Sequence, residues 1–225
     1  RAEPGVAANL LDAFEESAGR WIATYRELGA QQGAEPAWLE HKLALTRQST
    51  FEDAQAAAES LGARWALGER PAESLQAAIE KQLRTLVLFV NAPAGISGAA
   101  SQVPGLNAVL VNRKEPEGRR NFDLAHELFH LLTWDVMPPD RVESVEVPHG
   151  GKGRRVEQLA ENFAAALLMP SATMRARWQG RDRDGDLHEW LNATATDLRV
   201  SAKACKWRLV NLECFSKSDL QGIND

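Results

Sequence analysis

Apolar positions recur with helical spacing at the start of the chain. Leu10, Leu11, Phe14, Ala18, Trp21, Ile22, Tyr25 and Leu28 form one stripe over residues 7–28, closed by Gly29. Gly29 to Pro36 reads as a soft linker. Ser49-x-x-Glu52 has the form of a capping box and predicts a second helix to about Leu67. Pro71 suits the first turn of a third helix, which runs through Leu83. The pattern then changes. Thr85–Asn91 and Leu106–Asn112 are short apolar runs that predict strands, joined by a Gly/Ser-rich loop, Ala94 to Gly105. Helical periodicity returns at Asn121–Trp134 and at Arg154–Met169, with a Pro- and Gly-rich loop, Met137–Gly153, between them. Pro170 stops the second of these helices, Ser171 is placed to cap the next turn, and the tail reads as two or three short helices. Strands in the middle flanked by helices predict an α+β fold with a small sheet. Residues 1–50 read as a helical lead-in, 51–180 as the core and 181–225 as a C-terminal helical subdomain.

The Asn121–Trp134 helix carries His126-Glu127-Leu-Phe-His130. Residues four apart on an α-helix lie about 40° apart and about 6 Å along the axis, so both imidazoles can meet one ion. Tetrahedral zinc takes such nitrogen donors. Glu127, one residue round, is badly placed to ligate but can reach a water at the metal and act as general base.

A catalytic zinc usually takes three protein ligands and leaves a position for water. Downstream of His130 the candidates are Asp135, Glu143, Glu146, His149, Glu157 and Glu161. Thr133 and Val136 stand where the extended metzincin pattern has Gly and His, which excludes that class. Asp135, about 140° round the helix from His130, points away. Glu157 opens the next helix, where Ala160 and Ala164 share its face and allow close packing on the His-Glu helix. That makes Glu157 the candidate third ligand. Glu161, one turn on, is the candidate to accept from the far ring nitrogen of a ligand histidine. The order strand, strand, His-Glu helix, third-ligand helix suits a zincin-like metallopeptidase core. Zinc, or manganese, is the implied metal. An oxyanion profits from an added donor, and His149 in Val-Pro-His-Gly-Gly is the candidate, with Tyr25 better read as packing. An edge strand would hold an extended substrate by β-augmentation, with Leu106–Asn112 as candidate.

Composition narrows the class. A net charge of −5 gives no global field for nucleic acid or anionic membrane. Arg199, Lys203, Lys206 and Arg208 make the tail locally basic, which reads as a solvated helix face, or as weak DNA contact through the C-terminal helices. No apolar run is long enough to span a membrane. Cys205 and Cys214 form no disulfide framework, which fits a reducing cytoplasm. Asp182-Arg-Asp184-Gly185-Asp186 lacks the Gly and Glu positions of an EF-hand and reads as a polar turn with Asp186 as helix cap.

His126-Glu-x-x-His130 preceded by Arg120-Asn-Phe-Asp-Leu-Ala, then Glu157-x-x-Ala160-x-x-Phe163-Ala164-x-x-Leu-Leu-Met-Pro170, resembles the ImmA/IrrE family of metallopeptidases. Ile96-Ser-Gly-Ala, Ala108-Val-Leu-Val-Asn112-Arg113 and Val200-Ser201…Trp207-Arg208-Leu209 extend the likeness from roughly Phe51 to Phe215. The resemblance implies a gluzincin-type zinc peptidase that cleaves helix-turn-helix repressors of the XRE class and so releases phage, mobile-element or stress-response genes. Many members carry an XRE domain of their own, which would make residues 1–50 a linker from an upstream DNA-binding domain. The family often has Asp or Asn where this chain has Glu161. A rival reading keeps the metal site and drops the proteolysis: a regulator or antitoxin whose peptidase-like domain senses a metal or a partner.

Overall fold

The computed structural model describes residues 2, 5–33, 39, 42–139 and 152–214. Among them are α1 (Ala8–Gln31), α2 (Phe51–Arg64), α3 (Leu75–Leu83), α4 (Glu117–Leu132), α5 (Lys152–Leu168), α6 (Ser171–Gln179), α7 (Leu187–Asp197) and α8 (Ala202–Asn211). The strands are β1 (Leu86–Val90), β2 (Gly98–Val103) and β3 (Leu106–Asn112). The fold is α+β, with one three-stranded sheet in the order β1-β3-β2.

β2 occupies what the sequence presents as a Gly/Ser-rich loop. Its residues, Gly-Ala-Ala-Ser-Gln-Val, have little intrinsic strand preference, and pairing with β3 decides their state. Val103 pairs with Leu106 across a two-residue turn, where Pro104 suits the first central position and Gly105 takes φ 79° at the second. Because β2 pairs antiparallel on one side of β3 and β1 parallel on the other, Leu106–Asn112 is the central strand. This corrects its assignment as an edge; every residue of it is buried. The edge is β2.

The two faces of β3 have different neighbours, as the period of two requires. Val109 and Val111 join the larger apolar cluster with α2, α3, α4 and α5. Leu106, Ala108 and Leu110 join a smaller one with Leu11, Phe14 and Ile22 of α1. α4 is buried over ten successive residues, Asp123 to Leu132, because sheet, α5 and α3 surround it. Ala160 and Ala164 are fully buried at the α4–α5 contact, and the rings of Phe129 and Phe163 meet there at 5.5 Å between centroids. The C-terminal helices add Leu191, Leu198, Cys205 and Leu209 to the same cluster. Gly118 brings the first turn of α4 so close to the α7–α8 junction that a Cβ would sit 2.5 Å from the carbonyl carbon of Val200.

Several local signals act one step away from their sequence position. The capping box is Thr50 with Asp53: Asp53 N–H donates to Thr50 Oγ1, and Thr50 N–H to the Asp53 carboxylate. Ser49 Oγ accepts from Thr46 N–H instead. Gly29 does not stop α1, since an interior glycine costs only about 1 kcal/mol and the helix continues to Gln31. Pro71 opens a short 3-10 turn, Pro71–Glu73, ahead of α3. Ser171 does not cap α6; its N–H and hydroxyl both donate to Glu59 on α2. Asp186 caps α7 as read, accepting from the N–H groups of His188 and Glu189.

The basic tail is not a solvated face throughout. Arg208 is 1% exposed and donates to the Met169 carbonyl at 3.0 Å, to Gln55 Oε1 at 2.8 Å and to Glu59 Oε1 at 2.7 Å. It ties α8 to α2 and to the end of α5, and Lys206 is buried as well. A guanidinium is suited to this, since its planar fork satisfies several acceptors at once.

Candidate metal centre

α4 places His126 and His130 one turn apart on one face, and α5, packed closely through its alanines, lays Glu157 across them. His126 Nε2 lies 2.9 Å from Glu157 Oε2, His130 Nε2 3.1 Å from His126 Nε2, and His130 Nε2 3.5 Å from Glu157 Oε1. Both histidines are buried and Glu157 is partly so. Donor atoms of the three residues all lie within 4.8 Å of one another.

This arrangement fits a small divalent cation. Metal bonds of 2.0–2.2 Å in a tetrahedron separate neighbouring donors by about 3.3 Å, which the three separations here bracket. Both rings turn Nε2 to the shared point. Among the described residues neither Nδ1 has a hydrogen-bond partner. Burial pushes His126 down to about 4, a hydrogen bond to Glu157 opposes this and the nearby His130 adds to it. At neutral pH His126 is therefore an uncharged imidazole, the form a metal takes. Burial pushes the Glu157 carboxyl up, but hydrogen bonds to His126 and His130 outweigh it and hold it well below the usual carboxylate range.

Glu127 is buried beside this cluster, and Gly98 of β2 backs it. A Cβ on Gly98 would meet Leu110 O at 2.9 Å, Glu127 Cγ at 3.2 Å and Glu127 Oε1 at 3.3 Å. The absence of a side chain at Gly98 makes room for the Glu127 carboxylate. Sequence reading gave this glycine no place in the site; its trace was Ile96-Ser-Gly-Ala, within what looked like a loop.

The other candidates lie elsewhere. Glu161 is exposed and lines a separate depression with Arg119, Phe122, Lys203 and Trp207. It reaches the Nδ1 of neither ligand-type histidine, since the helical rise carries it about 6 Å along α5 from Glu157 to that other depression. Asp135 pairs with Lys42 at the surface. His149 lies outside the described residues. Tyr25 is half exposed and borders depressions between α1 and β1.

A cleft of about 540 Å³ opens over the cluster. Glu127, His130 and Glu157 reach it from one side, β2 from Gly98 to Ser101 and Val103 forms its edge, and α1 closes the far side. Among the described residues no helix is long and apolar enough to cross a membrane.

The family model for Peptidase M78, the IrrE N-terminal-like domain, matches residues 80–210, more than half of the chain. The comparison with curated proteins gives no match. A solved structure titled Mycobacterium tuberculosis transcriptional regulator is similar in fold, with a TM-score of 0.53 at 19% identity. The likeness covers 70% of this chain and 47% of that one, so the chain spans about half the length of that regulator.

Proposed function

The chain belongs to the M78 peptidase family, with its IrrE N-terminal-like domain, and from that premise we propose that it is a zinc-dependent endopeptidase acting on an XRE-type transcriptional repressor. The observation that carries the reading is the meeting of His126, His130 and Glu157 at one point, with Glu127 buried beside it at the wall of a cleft. His126, His130 and Glu157 would hold the ion. Zinc, or manganese, bound there supplies a Lewis acid that polarises a peptide carbonyl and makes water a better nucleophile. Glu127 takes a proton from the attacking water and returns it to the departing amine nitrogen. Gly98 keeps β2 clear of that carboxylate. The cleft holds the chain to be cut, and β2, at the edge of the sheet, runs along it. Repressor cleavage derepresses the genes that the repressor covers, and the work is done in the cytoplasm.

A second reading is favoured by one observation, the fold shared with a protein titled a transcriptional regulator: the domain senses a metal or a partner without cutting. Glu127→Gln separates the two. The variant keeps size and hydrogen-bonding shape and takes no part in ligation. It is expected to bind one zinc per chain and to lose about 10²–10⁴ of the rate on a co-expressed repressor. His130→Ala is expected to lose metal and cleavage together. Unchanged gene induction by Glu127→Gln, with induction lost in His130→Ala, would overturn the endopeptidase reading in favour of the sensor.

A further inference from the structure

The cleft has two walls of different origin. One is the metal-centred wall of α4 and α5, within the family match; the other is α1, which lies wholly outside residues 80–210. Leu11, Phe14, Ala18 and Ile22 follow one another at helical spacings along α1 and line the cleft opposite His130 and Glu127. Ala99 and Val103 of β2 extend the same apolar surface. Gly19, on the same wall, has nothing within 4 Å of where a Cβ would stand, so space is open there.

We infer that α1 is the specificity-determining wall of this site, selecting a peptide segment with an apolar side chain next to the bond to be cut. An aliphatic or aromatic residue seated against Phe14 and Ile22 leaves water at no polar cost. An aspartate or lysine seated against Phe14 and Ile22 loses hydration to apolar side chains, a penalty that sets it aside; the charged groups α1 also turns to the cleft, Glu15 and Arg26, are exposed and stay hydrated. Gly19 and Ala18 set the room available, and Phe14 and Ile22 set the depth. The shared core carries the chemistry; the helix outside it decides what the chemistry meets. This rests on the endopeptidase reading only in taking a peptide as occupant.

The test uses the full chain, zinc-loaded and carrying Glu127→Gln, so that peptides are held without being cut. Two fluorescein-labelled decapeptide pools, randomised around a central Leu or a central Asp, are titrated by anisotropy. The Leu pool is expected to bind at least about tenfold more tightly. Adding Gly19→Trp, which fills the open space, is expected to weaken the Leu pool by at least about tenfold with zinc stoichiometry and melting temperature unchanged. Gly19→Leu serves as the milder variant should the tryptophan disturb folding. Tyr25→Ser, on the same helix but outside the cleft lining, leaves binding as it was. Equal binding of the two pools, no binding of either, or a Gly19 variant that folds and binds like its parent overturns the inference. Absence of repressor cleavage by the zinc-loaded wild type, with pool selectivity intact, would count against the endopeptidase reading and leave the role of α1 standing.

Discussion

The two faces of the sheet are packed in contrasting ways. Against one, α4 and α5 interlock through Ala160, Ala164, Phe129 and Phe163, all fully buried, and α2 and α8 close over them. Against the other lies a single helix, α1, whose inner stripe is buried while Leu10, Trp21, Tyr25 and Leu28 stay exposed. The difference matches two demands. Three donor atoms must be held within a few tenths of an ångström, which calls for side chains locked on every side. A substrate wall must leave space, and therefore cannot be closely filled.

This contrast can be broken by measurement. Phe163→Ala should cost the most, about 3–5 kcal/mol by urea denaturation, since it empties a site with no slack. Arg208→Ala should come next at about 3 kcal/mol, the low end for a broken buried pair because Glu59 is a third exposed. Phe14→Ala, whose ring already borders open space, should cost only about 2 kcal/mol and should not change zinc stoichiometry. If its cost equals that of Phe163→Ala, the two faces are equally packed and the comparison fails. Smallest is Tyr25→Ser, expected within about 0.5 kcal/mol of wild type. Native-state hydrogen exchange sharpens the same point: α1 amides should open at lower free energy than those of α4 and α5.

What could be read from the chain follows the same division. His126 and His130 are legible because helical spacing alone brings them together. Glu157 was legible through the alanines that let its helix approach. β2 was not, because its small residues, needed where the strand backs Glu127 and borders the cleft, erase the usual strand signature. The cover that α1 gives to the cleft was also hidden: its stripe declares a buried face but not what that face meets. Arg208 was misread for a related reason. Its partners Gln55 and Glu59 lie 153 and 149 residues away, and no local pattern announces them. Helical spacing tells that Glu161 lies on nearly the same face as Glu157, but not what that face meets one turn on, which is the depression beside Arg119 and Lys203.

The alternation of β3 has a consequence for how such a protein can change over generations. Val109 and Val111 answer to the helices that carry His126, His130 and Glu157, while Leu106, Ala108 and Leu110 answer to α1. Neighbouring codons therefore belong to separate lineages of constraint. A descendant that acquires a new α1 needs compensation only at the even positions of this strand, and its odd positions can be inherited untouched. Substitutions at Leu11, Phe14 and Ile22 should thus covary with 106, 108 and 110 and be indifferent to 109 and 111. A one-residue deletion within the strand, by contrast, would exchange the two inheritances at once, and selection should purge it.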